Sequence, residues 1–162
     1  MDNPYVIGID LGGQTAKFGI VDARGNVIAS SSIKTRKHSK IEDYIDELHT
    51  EINRLIEAND AQDKIQGIGI GAPNANYFTG IIEDGVNLPW PTPIPLADLI
   101  TEKFGIPTII TNDANAAAIG EMTYGAARGL KVSVREPRVM LTSRMPGFRV
   151  MSFRGTPQFL VF

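Results

Sequence analysis

Three apolar, β-rich runs crowd the start of the chain: YVIGID (5–10), AKFGIV (16–21) and VIASSSIK (27–34). Only residues 11–15 and the turn cluster DARGN (22–26) separate them. A parallel pair needs a crossover of about a dozen residues or more, so connections this short predict an antiparallel meander. The next segment changes period. In IEDYIDELHTEINRLIEA (41–58) the apolar residues Ile41, Tyr44, Ile45, Leu48, Ile52, Leu55 and Ile56 recur three or four apart with charges between them. That is one amphipathic helix with its stripe on a core. IQGIGIGAP (65–73) then reads as a buried strand running into a Gly/Pro loop, and NYFTGIIEDGVNLPWPTP (76–93) as loop with a small hairpin around Thr79-Gly80. LADLITEKFG (96–105) predicts a short helix ended by Gly105. PTIITNDA (107–114) predicts another buried strand, and ANAAAIGEMTYGAARG (114–129) an alanine-rich helix able to pack closely. The order βββαβαβα predicts an α/β fold with a mixed sheet and helices on both faces.

The chain has 162 residues, 43% of them hydrophobic and 21% charged, enough for one soluble domain with a real core. There is no cysteine, which excludes disulfides and thiolate metal sites, zinc sites of that kind included. The two histidines, His38 and His49, fall in or beside the charged helix and read as solvated side chains. The first residues, MDNPYVIGID, lack the basic and apolar regions of a signal peptide, and no apolar run approaches membrane-spanning length. The expectation is therefore a cytoplasmic protein without a membrane partner.

The net charge of −2 conceals a break near residue 131. Residues 1–131 carry 11 basic and 17 acidic side chains, whereas 132–162 carry five arginines and a single acid, Glu136. All seven lysines precede residue 132. The later segment has no clean helical stripe, only short runs that read as weak strands (Val132–Val134, Val139–Thr142 and Gln158–Phe162). Its arginines lack the lysines and interleaved aromatics of a nucleic-acid surface, so no nucleic-acid partner is expected.

Three stretches could carry chemistry. In GIDLGGQTAKFGIVD (8–22), a strand end presents Asp10, and Gly12-Gly13 let backbone N–H groups approach an anion. Asp10 could then hold Mg²⁺ directly or through water. A glycine turn with an ordinary turn acid explains the same stretch equally well. In ITNDANAAA (110–118), Asn112 and Asp113 stand where a strand meets a helix. Asp113 suits the general base of phosphoryl transfer to an alcohol, and Asn or Asp at such a junction also suits a helix cap. GIGIGAPN (67–74) has alternating glycines without the complete dinucleotide fingerprint, and fits a backbone-lined substrate wall or a packing loop.

Together these pieces resemble one family. IGIDLGGQTAKFGIVD is similar to the first phosphate motif of the repressor/open-reading-frame/kinase (ROK) sugar kinases, which have the actin/hexokinase-type (ribonuclease H-like) ATPase fold. GIGIGAPNANYFTGII, NLPW and PTIITNDANAAAIGEMTYGAARG resemble its later blocks in order and spacing, from about residue 5 to residue 131. The resemblance implies an ATP-dependent, glucokinase-like hexose kinase. Asp10, Gly12, Gly13 and Gln14 would form the loop at the ATP phosphates, with Mg²⁺ at Asp10. Asn87 and Asn112 would bind sugar hydroxyls, and Asp113 would bind the sugar and act as base. Gln14 departs from the family, which usually has threonine there; here Thr15 follows.

The larger departure is that the family continues with a second lobe, holding another phosphate loop, the adenosine pocket and often a cysteine-rich zinc site. Residues 1–131 are therefore expected to be an N-terminal lobe with the start of the interlobe region. Residues 132–162 are expected to be an atypical, out-of-frame or aberrant ending, which the codons downstream of 131 would decide. Such a lobe alone is expected to be inactive and, exposing apolar surface, to self-associate as a homo-oligomer. The alternative reading is a non-catalytic sugar-binding module or regulator, although the first strand starts too early to leave room for the helix-turn-helix of the family's repressors.

Overall fold

A computed structural model describes residues 4–85, 87–113 and 116, and the backbone of 131–135 and 138–142. Five strands form one sheet: β1 (Tyr5–Leu11), β2 (Thr15–Asp22), β3 (Val27–Lys34), β4 (Ile65–Ala72) and β7 (Thr108–Asn112), in the order β3-β2-β1-β4-β7. The first three pair antiparallel, as their short connections require. β4 joins β1 in parallel, and β7 joins β4 in parallel. The crossovers are the helices α1 (Ile41–Ala58) and α2 (Leu96–Phe104). The minor hairpin expected around Thr79-Gly80 is present as β5 (Ala75–Asn76) paired with β6 (Ile81–Ile82). Gly80 takes the positive φ its turn requires.

Each helix has a local reason to start or stop. Glu42 and Asp43 in the first turn of α1 complement the positive end of its dipole. At its far end Asp60 adopts φ 49°, and the N–H groups of Asp60 and Ala61 return to the carbonyls of Glu57 and Ile56. That is the paired carbonyl closure usual after a left-handed residue. α2 ends at Gly105, φ 66°, whose N–H donates to Thr101.

Strand alternation sorts the sheet into two faces. On one, Ile7, Ile9 and Leu11 of β1 stand beside Ile20, Phe18 and Ala16 of β2, and beside Ile68 and Ile70 of β4. All are buried, in one cluster with Tyr44, Leu48 and Ile52 of α1 and Leu96 and Ile100 of α2. The other face has a row of Gly19, Gly8, Gly69 and Ile109, followed by a row of Lys17, Asp10, Gly71 and Thr111. The alternating glycines 67, 69 and 71 thus lie inside β4 and not in a loop after it. The second-face helix expected over 114–129 and the strand expected over Gln158–Phe162 lie outside the described residues. The other two expected late strands are β8 (Lys131–Arg135) and β9 (Arg138–Thr142), an antiparallel hairpin. Among the described residues, no helix is long and apolar enough to cross a membrane.

Candidate functional site

The parallel strands β1, β4 and β7 all end at one edge of the sheet, and the predicted site residues cluster there. In open α/β sheets ligands bind outside the carboxyl ends of such strands. Asp10 is the penultimate residue of β1, on the face away from α1 and α2. Its neighbour on β4 is Gly71, which has no side chain to crowd it, and its neighbour on β2 is Lys17. Burial is the main cause that raises the Asp10 carboxyl above its ordinary value, and the charge of Asp113 adds to it, while Lys17 opposes both. Asp10 is thus a partly desolvated acid at a strand end that feels the charge of the acid following β7.

Asp113 has helical backbone immediately after β7. Asn112 closes β7 and sits in register with Ala72 of β4, while Thr111 sits in register with Gly71. The strand-to-helix junction read from the sequence is thus in place, and the charge of Asp113 contributes to the raised Asp10 carboxyl.

The loop after β1 is built for close approach. Gly12 N–H donates to the Thr15 carbonyl at 3.2 Å, closing a tight turn. A Cβ on Gly13 would stand 2.5 Å from the Asn87 carbonyl oxygen and 3.0 Å from its Cβ, so only glycine fits there. The loop carrying Asn87 leans directly on the glycine loop, and the structure brings together two motifs far apart in sequence. The side chains of Gln14 and Asn87 are exposed.

Two supports were not predicted. Thr35 and Arg36, in the 3₁₀ turn Thr35–Lys37 after β3, bind the carbonyls of the glycine loop. The signal that could have found them is hairpin register: Thr15 pairs with Lys34, which puts the turn beside Gln14. The other is Trp90, three residues past Asn87, buried against Tyr44 at a ring separation of 4.7 Å. Its indole N–H donates to the His38 carbonyl at 3.2 Å. His38 also pairs with the Glu47 carboxylate, which accepts from Lys37 at 2.7 Å. His49 stacks edge-on with Phe104 at 4.8 Å. Neither histidine is merely solvated, a correction to the sequence reading with a simple cause: each lies where a neighbouring element packs onto α1.

Among the described residues no cluster of three or more acidic or imidazole groups could hold a metal. The Asp10–Asp113 pair still fits a cation that takes one or two carboxylates and completes its shell with water and phosphate, the habit of Mg²⁺. A cation there would favour the charged form of Asp10, opposing the burial and the Asp113 charge that raise its carboxyl.

The sequence profile of the ROK family matches residues 6–135. A glucokinase from Halalkalibacterium halodurans is 34% identical over 139 residues, covering 81% of this chain and 40% of that enzyme. A putative xylose repressor from Caldicellulosiruptor is 32% identical over 122 residues, covering 74% of this chain and 30% of that protein. Among solved structures, a ROK family glucokinase from Streptomyces griseus in complex with glucose and AMPPNP superposes with a TM-score of 0.65 at 28% identity, over 79% of this chain and 39% of that one. The ROK hexokinase from Thermus thermophilus gives a TM-score of 0.67 at 29% identity, over 79% and 41%. The chain thus spans at most about two-fifths of the length of these relatives.

Proposed function

The chain belongs to the ROK family, and on that premise we propose that it carries the sugar side and the first phosphate loop of an ATP-dependent, glucokinase-like hexose kinase. The observation that carries this reading is a glycine loop that accepts no side chain where it meets the Asn87 loop, next to Asp10 at the carboxyl end of a parallel strand, with Asn112 and Asp113 at the end of another. Phosphoryl transfer asks the protein mainly for position and electrostatics. Asn87 and Asn112 hold sugar hydroxyls, so that one hydroxyl faces Asp113. Asp113 takes the proton of that hydroxyl as the oxygen attacks the γ-phosphorus, and the bond from that phosphorus to the β–γ bridging oxygen breaks to release ADP. The N–H groups around Gly12, Gly13 and Gln14 face the phosphates. Asp10 holds Mg²⁺, which when bound offsets phosphate charge.

Calorimetry on the purified chain with glucose, N-acetylglucosamine, N-acetylmannosamine and fructose tests the sugar half. Binding of one hexose, weakened by Asn87→Ala, is the expected result; no heat with any of them sinks the reading. ATP turnover by the chain alone is expected to be slight, since the chain covers 40% of the glucokinase it resembles. The likeness to a xylose repressor favours a second reading, sugar binding without transfer. Replacing the matching part of an active ROK kinase with residues 6–135 separates the two. ATP consumption that Asp113→Asn lowers by about 10²–10⁴-fold supports the kinase. Sugar binding without consumption supports the binding module.

A further inference from the structure

The turn that follows β3 holds the glycine loop from behind. The Thr35 hydroxyl donates to the Gly12 carbonyl at 2.7 Å, Arg36 Nε to the Gly13 carbonyl at 3.2 Å, and the Thr35 N–H to the Gln14 carbonyl at 2.9 Å. Three consecutive carbonyls are therefore fixed by two consecutive residues. In a planar trans peptide the N–H points opposite to the C=O. Holding the Gly12 and Gly13 carbonyls toward the turn thus directs the Gly13 and Gln14 N–H groups away from it, the orientation an anion nest needs. Thr35 is fully buried and forms a fixed base. Arg36 is exposed and reaches further: a second guanidinium nitrogen makes a long 3.5 Å contact with the Asn87 carbonyl. The bare Cα of Gly13 faces that same carbonyl.

We propose that Arg36 is a positioning residue that joins the anion loop to the sugar loop, so that occupancy beside Asn87 is felt at Gly13 and Gln14. The proposal rests on the kinase reading of those two loops. A planar fork with five donors can hold two carbonyls at fixed relative positions, whereas a lysine ammonium is a point charge on a flexible stem. The exposed contacts add little to global stability; their effect is local geometry.

The test uses the full chain, isotope-labelled, as wild type, Arg36→Met and Arg36→Lys. Amide and carbonyl resonances of Gly13, Gln14 and Asn87 are followed without ligand, with glucose, and with inorganic tripolyphosphate. Without ligand, Arg36→Met is expected to shift the Gly13 and Asn87 carbonyl resonances and, through the shared peptide, the Gln14 amide resonance. Ile52 and Ile70 in the core serve as unmoved references. Unchanged Gly13 and Asn87 resonances overturn the clamp, whatever the protein binds. With glucose, the wild type is expected to respond at all three residues and Arg36→Met at Asn87 alone. Arg36→Lys is expected to fall between them, and it stands in should Arg36→Met fail to fold. A glucose response at Gly13 and Gln14 that survives both substitutions overturns the coupling. If neither ligand moves the wild type, the kinase reading is what fails, and the ligand-free comparison still decides the clamp.

Discussion

The two faces of the central sheet are built from the same five strands and do opposite work. Toward α1 and α2, the registered row Phe18, Ile9, Ile70 and Ile110 is at most 1% exposed. On the reverse face, the corresponding row is Lys17, Asp10, Gly71 and Thr111, with two charges and one missing side chain. The difference follows from a period of two, which lets one strand present a core residue and a site residue next to each other. On the proposed kinase reading, stability and chemistry are separable here by face. Substitutions on the helix side should cost folding, and those on the reverse side or at the strand ends should cost binding.

The sharpest way to break that division is Phe18→Ala. Phe18 is fully buried between β1 and β3, and truncating a buried phenylalanine typically costs about 3–5 kcal/mol. Urea unfolding should show a loss of that size. If the variant unfolds with a midpoint close to wild type, the helix-side face is not the core that its burial indicates.

The division also explains what could be read from the sequence. Strands β1 to β4, β7 and helix α1 declare themselves through period and length, because burying an apolar face is a local pattern with a global cause. The closing glycine of α2 was legible for the same kind of reason, since position 105 needs a left-handed residue. The glycines of β4 misled in one respect: their spacing looks like a ligand loop, yet it is the strand period read on the reverse face. The roles expected of Asp10 and Asp113 came from the resemblance of ordered motifs and not from any local pattern. Thr35 and Arg36 were illegible, because their contacts depend on β2–β3 register, and a threonine and an arginine in a basic tetrapeptide carry no signature.

Gly13→Ala tests the strand-end side of the comparison. The added methyl would meet a backbone carbonyl at 2.5 Å, so the Asn87 loop or the glycine loop must move. Strain of this kind typically costs about 1–3 kcal/mol. The expected result is a moderate loss of stability with at least about a tenfold fall in hexose affinity, the equivalent of some 1.4 kcal/mol at the site. Calorimetry beside unfolding measures both, and affinity preserved in a destabilised variant would place the sugar loop elsewhere.

The smallest effect is carried by Asp10, and its sign is the informative part. Burial first, and then the charge of Asp113, raise its carboxyl above the ordinary value of 3.8. Between that value and the higher native one, the folded chain binds more protons than the unfolded chain, so stability falls as pH rises through this window and then levels. Glu47 has the reverse sign: hydrogen bonds from Lys37 and His38 lower its carboxyl, and its contribution is lost toward acid. The total profile mixes the two, but the difference between wild type and Asp10→Asn isolates the first. The variant should match wild type at the acid end and be the more stable of the two at neutral pH, as expected where a site holds charge at a cost to folding. Mg²⁺ should narrow that gap by stabilising wild type more than the variant, which keeps only the Asp113 carboxylate of the pair. An Asp10→Asn chain less stable than wild type at neutral pH would mean that this carboxylate holds the fold together, and the separation of the two faces would fail at its central residue.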